Sequence, residues 1–514
     1  MRMQSRWKDY VDARNESVRI MGVEKQKYEK DIMDKCKDNP KLFYRHINGK
    51  MNKREGITGL RVDGKLYEEV QEMAEVMNEK FQTVFTEEGD FDLADNELDG
   101  YKLIGVEVNQ EDVMRLMENL DVNKAPGPDG ISNWILKECR EQLAEKIHSL
   151  VKTLLLQGKV PKDWKRANIV PIYKGGSREK PLNYRPVSLT SVVGKLCEKI
   201  IKDAWMEHLE SSNVLTNCQF GFRRGRSCSS NLLSFYSKVI DAVQERDGWV
   251  DIESHINLFA DDVKIMRRVT NVNDCMKLQE DLDKIGRWNR TWQMEFNMNK
   301  CKVMEFGKSK WRVHGNYKIE NFSLERSKED MDLGVTITEG LAPDRHINKI
   351  TGEVKNLLRR IKMAFSYLDA DMMKKLISSM VRPRLEYAAI VWSPHTKKNI
   401  RKLEKVQRAA SKLVPELEDL TYEERLRKLE IPTLEIRRER GDLIGIYRMV
   451  NNLDKVDGDF LNLETRTTRE HRKKLKKVQC IRDIKKYSFP HRAVDTWNGL
   501  DIDIVNAVSV QFQS

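Results

Sequence analysis

Residues 255–266 read HINLFADDVKIM, and this stretch decides the fold. Ile256, Leu258 and Ala260 recur at the strand period of two before an Ala-Asp-Asp step, so the spacing predicts two short strands and a tight turn over 256–267. The turn lifts Asp261 and Asp262 away from their apolar neighbours. Carboxylates placed this way can hold a divalent metal, and phosphoryl-transfer sites use such metals to clamp the attacking and leaving oxygens. Aspartate is also common in turns for a purely structural reason, because its side chain bonds nearby backbone N–H groups. On these residues alone both readings stand.

On the C-terminal side the pattern predicts a helix over about 273–290, a strand at Lys302–Phe306 and another around Asp332–Thr336. From Pro343 to about Asn451 it is helical, with breaks at Pro383, Pro394 and Pro432. Trp288 and Trp292 stand four apart and read as core packing rather than as a platform for stacking bases. The run HRKKLKK (471–477), with Lys473 and Lys474 at its centre, is a nucleic-acid-binding or nuclear-address candidate, or else a solvated basic helix. The tail around it reads as weakly structured.

On the N-terminal side, CQFGFRRGRSC (218–228) is a basic loop broken by glycines. Its Arg223, Arg224 and Arg226 suit phosphate, which guanidinium groups grip through paired bonds, although each could also belong to an ordinary surface loop. Lys174, beside Gly175-Gly176, and Arg185, in NYRPVSL (183–189), add two cations after a strand-like run at Ala167–Ile172. Helices are expected over 65–86, from Gln110 to Leu120, from a Ser132 cap through Gln157, over about 191–210, and from the basic loop to about Gln244. APGPDG (125–130) separates the second and third of these. Residues 1–40 are Lys/Glu-rich and helical, with few apolar positions.

Composition sets the limits. At 514 residues the length suits about three domains. The chain carries 92 Lys+Arg against 80 Asp+Glu, a net charge of +12 that makes nucleic acid the default partner. No run approaches the ~18 apolar residues of a membrane span, and MRMQSRWKDY lacks the apolar core of a secretory signal. The 8 cysteines form no C-x-x-C pair, which speaks against structural zinc and for reduced thiols in the nucleus or cytoplasm. P-loop, GxSxG, HExxH and GxGxxG motifs are absent.

Seven segments in order carry a family resemblance: NKAPGPDGI (123–131), W-x4-IVPIYKGG (164–176), NYRPVSL, QFGFRRGRSC (219–228), LFADD (258–262), W-x-M-x-FN-x2-KC-x-VM (292–304) and LGV (333–335). Together they resemble the reverse transcriptase of jockey-like, LINE-type non-LTR retrotransposons, over nearly the whole chain. The resemblance implies an α+β right-hand polymerase. It divides the chain into a helical linker-like region (1–105), fingers (106–250), palm (251–340), an α-helical thumb (341–455) and a basic tail (456–514). It also implies RNA-directed DNA synthesis with magnesium, an RNA template, a DNA primer or target, and deoxynucleoside triphosphates. By position, Asp261 and Asp262 match the catalytic, metal-holding pair, and Lys174, Arg185 and Arg224 match positions near the incoming nucleotide.

Two palm segments of the family have no counterpart. A first strand ending in an aspartate, within a motif like DLKKAFD, and a later PQGS segment should precede the hairpin, yet DGWVD (247–251) runs directly into IESHINLFADD. The family's first strand runs parallel to the hairpin's first strand, a connection that needs a crossover of about a dozen residues or more. Only three residues separate Asp251 from His255, so Asp251 cannot replace the missing carboxylate. An endonuclease domain, expected ahead of residue 1, is not part of this sequence. The reading is therefore an internal deletion at Asp251–Ile252, leaving an impaired nucleotidyltransferase or a non-catalytic nucleic-acid-binding remnant.

Overall fold

The computed structural model describes residues 2–51, 56–85, 103, 105–244, 254–307, 313–456, 461–464 and 473–507. They form an α+β fold of many helices and small two-stranded sheets, in two compact units. One unit is Met1–Arg54 with Asn217–Ser514, and the other is Glu55–Thr216. The sequence opens with α1 (Arg2–Asp34), whose charges pair along its own surface, as in Arg19–Glu16 and Lys27–Glu24. Among its described side chains the buried ones, Glu29, Ile32 and Met33, lie in the last turns. In α2 (Pro40–Lys50), Phe43 and Ile47 stand one turn apart and are fully buried.

The unit Glu55–Thr216 begins with β1 (Leu60–Val62) and β2 (Lys65–Tyr67), where the periodicity predicted the start of a helix. Asp63 and Gly64 take φ of 50° and 83°, the left-handed pair that closes a two-residue hairpin, and this Asp-Gly step displaces the helix. That helix, α3 (Val70–Gln82), begins only after the hairpin. Next come α4 (Gln110–Glu118) and the APGPDG loop, where a Cβ on Gly127 would lie 2.5 Å from the Thr190 carbonyl oxygen. Glycine is what lets that loop lie so close. Ser132 caps α5 (Asn133–Glu138) by accepting a bond from the Ile135 N–H. The expected single helix is interrupted at Cys139 and resumes as α6 (Arg140–Gln157), which ends at left-handed Gly158. An antiparallel hairpin of β3 (Asn168–Tyr173) and β4 (Tyr184–Leu189) leads into α7 (Val192–Ser211). Val113, Met117, Ile147, Val151, Val193 and Leu196 make the core of this unit.

Chain order then returns to the other unit. α8 (Cys228–Gln244) precedes β5 (His255–Phe259) and β6 (Asp262–Met266), an antiparallel hairpin where the sequence pattern placed one. A capping box of Asn271 and Asp274 starts α9 (Val272–Thr291). Its Cys275 and Leu282 pack with Tyr317, Ile319 and Ile265 of β6. Short strands follow: β7 (Lys302–Val303), β8 (Lys318–Ile319), β9 (Phe322–Ser323) and β10 (Glu325–Arg326). The segment read as one strand around Asp332–Thr336 is a hairpin of β11 (Glu329–Asp332) and β12 (Val335–Thr338). Leu333 and Gly334, at φ of 43° and 86°, turn it.

A helical body completes the unit: α10 (Asp344–Ala364), α11 (Ala370–Leu376), α12 (Arg382–Glu386), α13 (Ala389–Trp392), α14 (Lys397–Ser411), α15 (Tyr422–Lys428) and α16 (Leu434–Val450). Pro394 and Pro432 fall between helices, whereas Pro383 breaks nothing: α11 runs through a π-helical turn at Ile377–Val381 straight into α12, and the widened turn takes up the residue that lacks an N–H. The tail is not the weakly structured appendage that its charge suggested. α17 (Asp483–Lys486) and α18 (Val494–Asn498) bring Phe489, Val494 and Trp497 into the same core as α10 and α16. Trp497 is only 1% exposed, and its indole N–H donates to the Lys473 carbonyl at 2.9 Å.

Candidate functional site

The hairpin register pairs Phe259 with Asp262, which leaves Ala260 and Asp261 as a two-residue turn. Ala260 takes φ of 55°, a conformation that favours glycine, and the adjoining loop holds it there. Segment Cys218–Phe220 runs parallel beside β5: the Phe220 N–H donates to the Leu258 carbonyl at 2.9 Å, and the Leu258 N–H to that of Cys218 at 2.8 Å. Gln219 Oε1 accepts from the N–H groups of Gly221 and Ala260. A Cβ on Gly221 would stand 2.3 Å from the Ala260 nitrogen, so only glycine fits. The basic loop and the Asp-Asp turn, read separately in the sequence, form one fastened assembly. Asp261 and Asp262 are both exposed at its tip.

Behind the tip is a polar cluster that the sequence reading missed. Lys264, two residues beyond Asp262 on β6, donates to Asp332 Oδ2 at 2.6 Å and to Asn231 Oδ1 at 2.5 Å. Burial pushes the Lys264 ammonium below its ordinary pKa, against the attraction of Asp332. Burial likewise raises the Asp332 carboxyl, against the pull of Lys264, and the Asp262 charge adds to that rise. The available signal was Lys264 itself, a cation on the strand period among apolar residues.

Magnesium is what the resemblance would place here. Among the described residues no group of three or more His, Cys, Asp or Glu side chains could hold a metal ion. The Asp262 charge reaches Asp332, and Lys264 engages that carboxylate. Two metals in one centre need ligands from more than a single turn. The residues described therefore do not fit a two-magnesium centre. Asp247 and Asp251 lie outside the described residues.

The other candidates sort by what their side chains do. In the unit Glu55–Thr216, Ile172 pairs with Arg185, and the Lys174 N–H donates to the Asn183 carbonyl at 2.8 Å. Lys174 and Arg185 are thus diagonal neighbours on one face of the β3–β4 hairpin, both exposed. In the other unit Arg224 is exposed and Arg223 half-buried. Arg226 closes the loop: it donates to the Asn217 carbonyl at 2.7 Å and lies 4.7 Å over the Phe220 ring. Lys473 donates to Asn451 Oδ1 at 2.7 Å, and Lys474 accepts at its carbonyl from the Glu464 N–H, so both take part in anchoring the tail. His471 and Arg472 lie outside the described residues. Trp288 and Trp292 are not the core pair expected. They are 49% and 47% exposed, off the buried face of α9 marked by Cys275, Leu282 and Gly286.

No family model matches the chain. Curated relatives do. Over 141 residues it is 28% identical to the probable RNA-directed DNA polymerase from transposon BS of Drosophila melanogaster, covering 27% of this chain and 16% of that protein. Over 394 residues it is 20% identical to the RNA-directed DNA polymerase from mobile element jockey of Drosophila funebris, covering 58% of this chain and 43% of that protein. The chain spans less than half the length of these relatives. The chain is reverse-transcriptase-like. Its homologues are the RNA-directed DNA polymerases of jockey and other non-LTR retrotransposons.

Proposed function

We propose that this chain is a reverse-transcriptase-derived, nucleic-acid-binding protein whose polymerase centre lacks a first palm strand. The observation that carries the reading is the setting of Asp261 and Asp262: among the described residues no group of three or more His, Cys, Asp or Glu could hold a metal, and Asp332, which feels the Asp262 charge, is bound to Lys264 at 2.6 Å. The jockey alignment supports it. That alignment runs to 394 residues yet covers 58% of this 514-residue chain, fewer than 300 residues, so the relative carries positions that this chain lacks. A deletion at Asp251–Ile252, where two family motifs have no counterpart, would produce such a shortfall.

In this reading the partners are an RNA template and a DNA primer or target, held by basic surface. Asp261 and Asp262 would bind magnesium, and Lys174, Arg185 and Arg224 the triphosphate, only once the missing strand is restored. Among the described residues no helix is long and apolar enough to cross a membrane. The nucleus or cytoplasm is the compartment that supplies such partners. A second reading, a polymerase still active as it stands, is favoured by one observation: both aspartates remain exposed on an intact turn.

Grafting the corresponding jockey segment between Asp251 and Ile252 tests the proposal. Primer extension on an RNA template with magnesium should appear in the graft and vanish on adding Asp261→Ala. A graft with native-like circular dichroism and no extension would show that the hairpin is not the remainder of a polymerase centre.

A further inference from the structure

The helix α14 reads KKNIRKLEKVQRAAS, and its two faces divide cleanly. Leu403, Val406, Gln407 and Ala410 are fully buried against the helical body. Lys397, Arg401, Lys405 and Arg408 recur at intervals of three and four on the opposite face, all exposed, with Lys398 beside them and Lys412 just beyond the last turn. The one carboxylate of the helix, Glu404, turns inward: its Oε2 accepts from the Leu434 N–H at 3.0 Å and its Oε1 from the Tyr422 hydroxyl. Among the described residues none of Lys397, Lys398, Arg401, Lys405 or Lys412 forms an ion pair. Arg408 is steadied at 4.5 Å over the Tyr422 ring.

We propose that this face of α14 docks the phosphate backbone of double-helical nucleic acid. A row of like charges on a packed helix is costly in isolation and is compensated by a polyanion. At ~1.5 Å per residue the row extends about 20 Å on a rigid support, which suits a partner whose phosphates are themselves held at fixed spacing. Single strands are gripped through aromatic platforms that stack bases, and α14 has no aromatic residue. With phosphates as the only groups within reach, the contact is independent of base sequence. α1 supplies the contrast, because Arg19 and Lys27 on it bond to Glu16 and Glu24 one turn away, at 2.6 and 2.7 Å. This surface rests on the nucleic-acid-binding reading and locates it on residues outside the seven family-like segments.

The test measures the affinity of the full chain for a short DNA duplex across a salt series, by fluorescence anisotropy. An RNA–DNA hybrid and a single strand run as parallel arms. Replacing Lys397, Lys398, Arg401 and Lys405 with Gln should weaken duplex binding by tenfold or more at low salt. It should also flatten the log–log slope by up to about 0.9 per lost contact. The matching variant of the paired cations in and just beyond α1, with Arg19, Lys25, Lys27 and Lys35 changed to Gln, should change neither. Circular dichroism checks both folds. If the wild type binds duplex and the α14 variant keeps its slope, or both variants lose affinity equally, the α14 surface is refuted and the nucleic-acid reading survives. Binding confined to the single strand overturns the duplex assignment alone, and a wild type that binds none of the probes overturns the reading and the surface together.

Discussion

The helical body and the tip of the β5–β6 hairpin belong to one compact unit but are finished to different degrees. In the body buried charges are met by partners: Arg492 grips the buried Asp442 through two bonds of 2.7 and 2.8 Å, the buried Arg425 donates to Ser411 Oγ at 2.9 Å, and the buried Arg382 donates to the Pro432 carbonyl. At the tip two carboxylates stand in solvent, and among the described residues β6 has no strand on its outer edge. The difference teaches that stability and chemistry draw on separate residues here. The core built from α10 to α18 is closed by the residues described, whereas Asp261 and Asp262 on one turn do not by themselves make up a two-metal site.

That contrast can be broken or sharpened by substitution. Trp497→Ala should cost about 3–5 kcal/mol, read as a fall in the urea midpoint, because a fully buried indole leaves a cavity. A loss under 1 kcal/mol would mean that the tail is not part of the core. His346, buried beside Trp392, accepts the Thr336 N–H at Nδ1 and has its pKa pushed down to about 4, by burial first and by Lys349 second. Between about pH 6.5 and 4 the unfolded chain therefore binds a proton that the folded one refuses. Stability should fall as pH drops through that window, by roughly 3 kcal/mol at ~1.4 kcal/mol per pKa unit, and His346→Gln should lessen the dependence.

Effects nearer the tip should be smaller. Lys264→Met strands Asp332 without its cation and should cost about 1–3 kcal/mol, with part of the loss recovered by adding Asp332→Asn. Additive losses in that double variant would show that the pair is not coupled. Asp261→Asn should stay within about 0.5 kcal/mol of the wild type, as an exposed turn residue does. A larger loss would give Asp261 a structural task that the hairpin geometry does not show.

The hairpin was legible because period-two alternation and a turn survive in twelve consecutive residues. The Ser132 cap and Gly158 stop were equally plain, each resting on local backbone chemistry. The Asp63-Gly64 and Leu333-Gly334 turns carried a readable glycine and were passed over in favour of longer elements. The clasp of Gly221 on Ala260 and the pairing of Lys264 with Asp332 were not legible, since they join residues 39 and 68 positions apart through tertiary packing. Charge was the least reliable guide. Lys473 and Arg226, which looked like phosphate ligands, bond to Asn451 and Asn217, while the bare cations of α14 drew no notice in a chain with 92 Lys+Arg.

Primer extension by the chain as it is bears most directly on the state of the Asp261–Asp262 turn. Purified 514-residue protein, an annealed primer on an RNA template, magnesium and all four deoxynucleoside triphosphates should give no extended product on a gel, the same as an Asp261→Ala control. Asp262 and Asp261 alone leave a two-metal centre short of ligands, so the two lanes should match. Robust extension that disappears in the Asp261→Ala control would contradict the account, because a further carboxylate would then have to complete the site beside the hairpin.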